Sequence, residues 1–276
     1  MKLMIQIAVS SDNHLDLNKV IVDDVIDQQA RYLTSHQIDY YLAAGDFFND
    51  FSKTTAYMDR LTHQLPHTKV LFIAGNHDMI RNVSYDQLEQ GTWPGYLNNR
   101  YFDLPNSDYR VIGLNGWYDY SFAQNTGKTE TQFHQWKMAY WIDSLIKQPM
   151  SDVQRAGVVA GELKKQLEAA QRSRKKVILM THFVPNQQFI RYTSDNRFWN
   201  MANAMLGSVA IEKLIDQYAV PIVIFGHIHD RLKPRKINAT WYYNGAVGYH
   251  NHRHNEWQTN DFFSEWQKQL KTIQLF

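Results

Sequence analysis

The stretch that decides the fold is Ala74-Gly75-Asn76-His77-Asp78, which ends the apolar run at residues 70–74. An apolar run of this length is typical of a strand that is buried on both faces of a sheet. Where it stops in Gly, Asn, His and Asp, the chain places oxygen and imidazole groups at the edge of the sheet. Open α/β folds keep their chemistry at that edge, so we predict a functional site there.

The same kind of break, in which an apolar run ends in metal-binding residue types, occurs four more times in the sequence. The apolar runs are residues 3–9, 38–44, 177–180 and 220–225, and the residues that follow them include Asp12, His14, Gly45, Asp46, His182, Gly226, His227 and His229. Each break alone is more typical of a turn than of a ligand set. Because parallel strands bring their ends to one edge of a sheet, we interpret the five breaks as one site.

Two of these breaks contain a pair of candidate ligands separated by one residue. Asp12 and His14 form the first pair, and His227 and His229 form the second. In an extended backbone the two side chains of such a pair leave on the same side, so Asp12 and His14 are expected to contact one cation, and His227 and His229 to share a face.

The composition excludes some classes of protein. The chain has 276 residues with 29 Lys and Arg against 27 Asp and Glu, and its net charge of +2 does not by itself indicate a nucleic-acid or membrane partner. It has no cysteine, so any metal must be held by His, Asp, Glu or Asn. Residues 3–9 are too short to span a bilayer and lead directly into Asp12. We therefore predict a cytoplasmic protein.

Helical patterns alternate with the apolar runs, which predicts an α/β fold. Helices are expected at residues 18–36, 54–65 and 208–218, where apolar residues recur at helical spacing. A hairpin is expected from residues 101–104 and 109–114. Residues 237–243 and 272–276 add further strands, so a second sheet is plausible.

The segment at about residues 117–174 does not follow this alternation of apolar runs and helical patterns. One helix is indicated by Phe133, Trp136 and Tyr140, and a second by the capping-box spacing of Ser151 and Gln154. Two consecutive helices predict a helical cap inserted into a single domain of residues 1–276. The aromatic stripe fits core packing or substrate contact, with core packing favoured.

A histidine-rich run near the C-terminus is a further candidate. His250, His252 and His254 surround Arg253. The run fits a solvated loop or a rim that faces the substrate.

The candidate ligands combine imidazoles, carboxylates and one amide oxygen. This mixture suits Mn, Fe, Zn, Co or Ni better than calcium or magnesium. It exceeds the needs of one ion, whereas two ions that share a carboxylate would use the whole set, which is Asp12, His14, Asp46, Asn76, His182, His227 and His229.

The motifs and their order along the chain resemble those of the calcineurin-like metallophosphoesterase superfamily. They are Asp12-x-His14, Gly45-Asp46, Gly75-Asn76-His77-Asp78, His182 and Gly226-His227-x-His229. The resemblance spans residues 12–229 but does not include the insert or the C-terminal segment. It implies a four-layer α-β-β-α sandwich, with two mixed sheets between helices, and a dinuclear metal centre.

The resemblance also implies a role for each residue. One ion would be held by Asp12, His14, Asp46 and His229, and the other by Asp46, Asn76, His182 and His227. A water that bridges the two ions would lose its proton near neutral pH and attack phosphorus. His77, beside the leaving group, would then supply a proton to the departing oxygen.

The sequence departs from the pattern of the protein Ser/Thr phosphatases in this superfamily, which is Gly-Asp-x-x-Asp-Arg-Gly. Asp50 stands where the pattern has the Arg that binds phosphate, and Asn49 stands where it has the Asp that orients the catalytic His. An amide stabilises a charged imidazole less than a carboxylate does. Asp78 or Asp50 could compensate, and a protein-phosphatase activity is not expected.

The sequence therefore predicts a metal-dependent hydrolase of a small phosphodiester, with a phosphomonoester as the open alternative. A nuclease is the second hypothesis, because the resemblance includes relatives that cut DNA. The balanced charge argues against it, and the basic run at residues 172–176 is more typical of a solvated helix end. A metal-binding scaffold without activity is the third. No membrane partner is expected, and the sequence does not indicate an oligomeric state.

Overall fold

The computed structural model of the protein describes residues 4–194, 197–252 and 254–276. In these ranges the first of two mixed sheets has the strand order β10-β1-β2-β3. Strands β1, β2 and β3 are parallel, and β10 runs antiparallel to β1. The bounds are β1 (Ile5–Ser10), β2 (Tyr40–Ala44), β3 (Lys69–Ile73) and β10 (Lys271–Leu275).

The second sheet has the order β4-β5-β6-β7-β9-β8 within the described ranges. Strands β5, β6, β7 and β9 are parallel, while β4 and β8 are antiparallel strands at the two edges. The bounds are β4 (Arg100–Asp103), β5 (Tyr109–Leu114), β6 (Lys176–Thr181), β7 (Ile222–Phe225), β8 (Arg235–Ile237) and β9 (Thr240–Asn244).

Successive side chains of the central strands enter two different cores. In β1, Ile7 and Val9 pack between the sheets, whereas Ala8 packs against the helices. In β6, Met180 packs between the sheets and Leu179 against the helices. A strand with this alternation is buried on both faces, which explains why the sequence shows uninterrupted apolar runs.

Helices cover the outer face of each sheet. Helices α1 (Val22–Ser35), α2 (Phe51–His63) and α8 (Phe262–Gln269) lie on the side of the first sheet, and α5 (Asp152–Arg172) and α7 (Val209–Gln217) on the side of the second. The predicted four-layer sandwich is therefore confirmed. No helix in the described ranges is long and apolar enough to cross a membrane.

Most predicted elements form near their predicted bounds, and the hairpin of β4 and β5 is confirmed. The single strand predicted at residues 237–243 is wrong. Asn238 adopts a positive φ of 52° and turns the chain, so that β8 and β9 pair as a second hairpin. Leu3, the predicted start of the first strand, lies outside the described residues. The short helices α3 (Tyr85–Gln90) and α6 (Arg197–Ala202), and also α8, were not predicted, although a capping box of Ser84 and Gln87 begins α3.

The predicted helical insert divides into two parts in the structure. Helix α4 (Glu130–Tyr140) and a 3-10 turn at Ile142–Leu145 lie outside the repeating strand and helix pattern. Helix α5 begins with the predicted capping box and packs against β5, β6 and α7, as a crossover helix between two parallel strands does. The limits of the insert and the single domain of residues 1–276 stay predictions.

The first part of the predicted insert, which contains α4, is attached to α5 through Asp152. This carboxylate is 2% exposed. It accepts hydrogen bonds from Trp117 Nε1 at 2.9 Å, from the Tyr120 hydroxyl, and from Lys137 Nζ at 2.7 Å. Burial raises the pKa of Asp152, but the Lys137 charge and these bonds lower it further, and the net change is downward. The ion pair therefore stabilises the fold above about pH 4 and is lost as the pH falls through the lowered pKa of Asp152.

We expect Asp152→Asn to lower the free energy of unfolding by about 3 kcal/mol, because it leaves the Lys137 ammonium buried without a countercharge. Urea denaturation at neutral pH measures this change. Lys164→Met is the matched control, since Lys164 is exposed and lies 3.9 Å from Glu168, and it should cost less than about 1 kcal/mol. Equal losses in the two variants would contradict this account of the ion pair.

Candidate metal centre

The polar breaks after the central strands meet at one edge of the sandwich, where backbone hydrogen bonds join them. Asp12 N donates to Gly45 O at 2.9 Å, and His14 N donates to Asp46 O at 3.0 Å. In the second sheet, Gly226 N donates to the carbonyl of His182 at 3.0 Å. The loops are thus held against one another by their main chains, and the side chains are positioned by a rigid frame.

Four of the seven candidate ligands adopt left-handed backbone conformations. The φ angles of Asp12, His14, Asp46 and His227 are 52°, 43°, 61° and 69°. The expectation that Asp12 and His14 lie side by side on an extended backbone is therefore wrong. Residues other than glycine reach this region at a cost of about 1 kcal/mol or more, and such strain is concentrated at functional sites.

Two glycines make room for this arrangement. Gly45 has a φ of 88°, and a Cβ added to Gly75 would lie 2.1 Å from Asp46 Oδ1. The carboxylate of Asp46 consequently occupies the space that a side chain at position 75 would need, so any larger residue would displace it.

One group of candidate ligands consists of Asp12, His14 and His229. His229 Nε2 lies 3.2 Å from Asp12 Oδ1 and 3.3 Å from His14 Nε2. His14 Nε2 is in turn 3.9 Å from Asp46 Oδ2.

A second group consists of Asp46, His182 and His227, together with the amide of Asn76. His182 Nε2 lies 3.2 Å from Asp46 Oδ2 and 3.0 Å from Asn76 Oδ1. His227 Nδ1 is also 3.0 Å from Asn76 Oδ1. Asp46 Oδ2 is therefore the atom next to both groups, while Asp46 Oδ1 accepts a hydrogen bond from the backbone of His77 at 2.8 Å.

The outward-facing nitrogens of three imidazoles have hydrogen-bond acceptors. His182 Nδ1 lies 2.9 Å from the carbonyl of Ala44, and His227 Nε2 lies 3.2 Å from that of Met205. His229 Nδ1 is 2.8 Å from Glu256 Oε2. These partners direct the lone pair of the other nitrogen inward, as they do for histidines that bind metals.

The donor set fits divalent cations. Inward-facing lone pairs about 3 Å from one another repel unless a cation or a proton lies between them. An ion with bonds of about 2.1 Å to nitrogen and oxygen separates adjacent ligands by about 3 Å. The shortest distance in each group matches that value, at 3.2 Å between His229 and Asp12 and 3.0 Å between His182 and Asn76. His14 Nε2 lies farther away, 4.0 Å from Asp12 Oδ1 and 3.9 Å from Asp46 Oδ2, and the donors are nitrogen and oxygen throughout.

The charged forms of the buried carboxylates are stabilised by positive charge close to them. Burial disfavours the charged form of His229, but its hydrogen bonds to Asp12 and Glu256 raise its pKa to about 10. Burial acts in the same direction on His182, whose pKa the charge of Asp46 raises to about 9. Protons on these imidazoles supply positive charge that bound cations would replace.

His77 lies beside the two groups, and with His14 and Asp46 it forms a third set of side chains whose possible ligand atoms lie within 4.8 Å of one another. Its Nδ1 is 2.6 Å from Asn49 Oδ1, and its Nε2 is 3.1 Å from the hydroxyl of Tyr249. The His77 ring also meets that of His14 edge-on, with centroids 4.6 Å apart. Burial lowers the pKa of His77 below its ordinary value.

Neither predicted replacement for the missing carboxylate has the right geometry. Asp78 is fully buried and accepts hydrogen bonds from the backbones of Asp46 and Gly75, at 2.7 and 2.9 Å, and from the Thr54 hydroxyl at 2.6 Å. It therefore holds the turn that carries Asp46 in place. Asp50 accepts hydrogen bonds from Ser52 and caps α2. The expected compensation for Asn49 does not fit these contacts, because both carboxylates bind other groups.

Three residues near the ligands were not recognised from the sequence, namely Asp143, Tyr249 and Glu256. Asp143 Oδ1 accepts a 2.7 Å hydrogen bond from Asn76 Nδ2, which turns the amide oxygen of Asn76 towards the histidines. Asp143 is an isolated acidic residue in the predicted insert, and no motif or spacing around it indicates a role at the site. Tyr249 and Glu256 flank the histidine-rich run, which was the one available hint.

A cavity of about 500 Å³ opens beside these ligands. Its lining includes His77, Tyr140, Trp141 and His254. Tyr140 thus faces the cavity, whereas Phe133 of the same predicted stripe is buried in the core. In the histidine-rich run, His254 lies at the rim, His250 stacks on Trp257, and Arg253 lies outside the described residues.

Comparison with known protein families identifies the family of this chain. A family model described as calcineurin-like phosphoesterase matches residues 5–231, which is most of the chain. The chain belongs to the calcineurin-like phosphoesterase family. It is accordingly a metal-dependent phosphoesterase, and a phosphate ester is its class of substrate.

Solved structures were compared with the fold of this chain. A phosphopantetheinyl hydrolase from Mycobacterium tuberculosis superposes with a TM-score of 0.68 and 16% identity, over 99% of this chain and 97% of that one. A dimetal phosphatase from Danio rerio has a TM-score of 0.47 and 14% identity, over 87% of this chain and 86% of that one. No curated protein matches the sequence.

We expect Asp143→Ala to weaken metal binding about 10-fold to 100-fold, because the amide of Asn76 loses the acceptor that fixes its orientation. Calorimetric titration of the metal-free protein with Mn²⁺ measures the affinity. Asp143→Asn is the matched control, since its side-chain oxygen can still accept the bond, and it should lose less. Unchanged Mn²⁺ affinity in a folded Asp143→Ala variant would remove this role from Asp143.

Proposed function

We propose that this phosphoesterase hydrolyses a small phosphodiester at a dinuclear metal centre, with a phosphomonoester as the second possibility within the same chemistry. The observation that carries the proposal is the position of Asp46 Oδ2, 3.2 Å from His182 Nε2 and 3.9 Å from His14 Nε2. One carboxylate oxygen beside two separate groups of donors suits a pair of cations that share it. The cytoplasmic location stays part of the proposal.

The ligand assignment follows the two groups. Asp12, His14, Asp46 and His229 would hold one ion, and Asp46, Asn76, His182 and His227 the other. Two divalent ions bound there would polarise the phosphate oxygens and acidify the water that attacks phosphorus. Manganese, iron, zinc, cobalt and nickel all suit the nitrogen and oxygen donors.

The chain's own contribution to bond cleavage would come from His77. The Asn49 oxygen accepts from His77 Nδ1, which leaves Nε2 facing the Tyr249 hydroxyl and the cavity. In its charged form His77 would donate the Nε2 proton to the departing alkoxide. Tyr249 would keep the ring in this orientation before the substrate arrives.

The preference for a diester rests on charge. A phosphomonoester carries about two negative charges at neutral pH, and the pattern of the protein Ser/Thr phosphatases in this superfamily includes an arginine that binds it. Asp50 stands at that position and caps α2. A diester carries a single charge and requires less compensation, so the absence of an arginine at this position favours it.

No contact favours the nuclease alternative. The basic run at residues 172–176 contributes no residue to the described lining of the cavity. The scaffold alternative would require bound metal without turnover, although the chain retains both donor groups and His77.

The proposal is tested by metal analysis together with hydrolysis of bis(p-nitrophenyl) phosphate and p-nitrophenyl phosphate. We expect two metal ions per chain and the higher kcat/KM on the diester. Activity on the monoester alone would overturn the diester preference, and bound metal without any hydrolysis would overturn the proposed function. A phosphopantetheinyl ester belongs in the wider screen, as a probe suggested by the name of one similar structure.

We expect His77→Ala to lower kcat on diesters with poor leaving groups by about 100-fold or more, since general acid catalysis contributes that much. The loss on p-nitrophenyl esters should be smaller, because p-nitrophenolate departs without a proton. Stopped assays on matched alkyl and p-nitrophenyl diesters measure the difference. His63→Ala, at an exposed position on α2, is the control. Equal losses on both leaving groups would exclude proton donation by His77.

A further inference from the structure

The cavity beside the candidate metal ligands continues along a surface of four aromatic side chains. We define this aromatic wall as Tyr140, Trp141, Phe198 and Trp199. Tyr140 ends α4, and Trp141 follows it directly. Phe198 and Trp199 belong to α6, in the segment between β6 and α7. Both segments lie outside the strands and the helix layers that build the sandwich.

The wall leaves a large apolar surface open beside polar side chains. Tyr140 is 66% exposed, Phe198 51% and Trp199 38%. Trp136 brings the two segments together, with its ring centroid 5.0 Å from that of Phe198 and 5.9 Å from that of Trp141. Exposed aromatic side chains clustered at the mouth of a cavity are typical of a ligand site, because an apolar ligand that covers them removes apolar surface from water.

The charges around the wall argue against a ligand with several negative groups. Arg191 is the one Lys or Arg among the described residues that line the cavity, and its Nη2 lies 3.0 Å from Asp230 Oδ1. Glu256 adds a carboxylate to the same lining. A second phosphate would therefore meet no uncompensated cation beyond the metal centre.

We propose that the aromatic wall binds an uncharged, largely apolar group of the phosphoester whose phosphate is cleaved at the candidate metal centre. This inference rests on the proposed function and adds the class of substrate. The cavity of about 500 Å³ has room for a phosphate and a group of two fused rings. Substrates with one phosphate and such a group are preferred over small and over polyanionic esters.

The test compares three diesters that share p-nitrophenol as the leaving group. Their other ester group is methyl, 2-naphthylmethyl (in the naphthyl diester), or a ribose that carries a second phosphate, all of which are attached through an alkyl carbon. Because the leaving group is constant, differences in kcat/KM report on the other group. We expect the naphthyl diester to exceed the methyl diester by about 10-fold or more, which is the gain that burial of an aryl group supplies. The ester with a second phosphate is expected to show no gain.

Two substitutions test whether the preference for the naphthyl diester comes from the aromatic wall. We expect Phe198→Ala, and separately Tyr140→Ala, to reduce the naphthyl-to-methyl ratio by at least about threefold, since each removes a large apolar contact. Trp241→Ala is the matched control, because Trp241 is 42% exposed on β9 and is absent from the described lining of the cavity. It should leave the ratio unchanged. Two exposed positions are used so that the failure of one variant to fold does not remove the test.

Binding without turnover gives an independent measurement. Calorimetry with (2-naphthylmethyl)phosphonate and methylphosphonate, whose carbon–phosphorus bonds resist hydrolysis, should show tighter binding of the naphthyl compound. That difference should shrink in Phe198→Ala and persist in Trp241→Ala.

The outcomes separate this inference from the proposed function. A metal-loaded preparation that hydrolyses neither the diesters nor p-nitrophenyl phosphate would refute the proposed function. Equal kcat/KM for the naphthyl and methyl diesters would refute the aromatic subsite alone. A gain from the second phosphate, or the same ratio in Phe198→Ala, Tyr140→Ala and the wild type, would also overturn it.

Discussion

The carboxylate of Asp46 is the group on which the rest of the site depends. Its Oδ1 is held by the backbone of His77, and its Oδ2 lies between the two groups of donors. This buried carboxylate exists only because Gly75 has no side chain, because Asp46 itself accepts a left-handed backbone, and because Asp78 binds the backbone of the same turn. The sandwich supplies a rigid edge on which such strain can be maintained.

Much of the fold could be predicted, because strands buried on both faces leave continuous apolar runs that end in a few polar residues. Within each sheet the strand ends lie together because parallel strands share a direction, and this physical rule needs no knowledge of the side chains. The packing of the two sheets then brings the ends of β1, β2 and β3 to those of β6 and β7. The rule does not give the local geometry. Asp12 and His14 were expected on an extended backbone, whereas both adopt positive φ, a choice made by contacts with the neighbouring strand ends.

The remaining features could not be predicted, since they depend on contacts between distant segments. Asp143 is 67 residues from Asn76, and Tyr249 is 172 residues from His77. No local period or spacing marks such pairs. The short helix α6 is positioned by packing against the insert, and its propensity alone gives little signal. Sequence patterns therefore describe the frame and the ligand types, whereas the substrate side of the site is decided by tertiary contacts.

The pairing of β10 with β1 has a consequence for biosynthesis. Strand β1 carries the loop of Asp12, and its second hydrogen-bonded neighbour comes from Lys271–Leu275. Until that segment has left the ribosome, β1 is an unprotected edge that other chains can join. This side of the first sheet is therefore closed only after a strand more than 250 residues farther along the polypeptide has been made, and β2 and β3 can join β1 long before that.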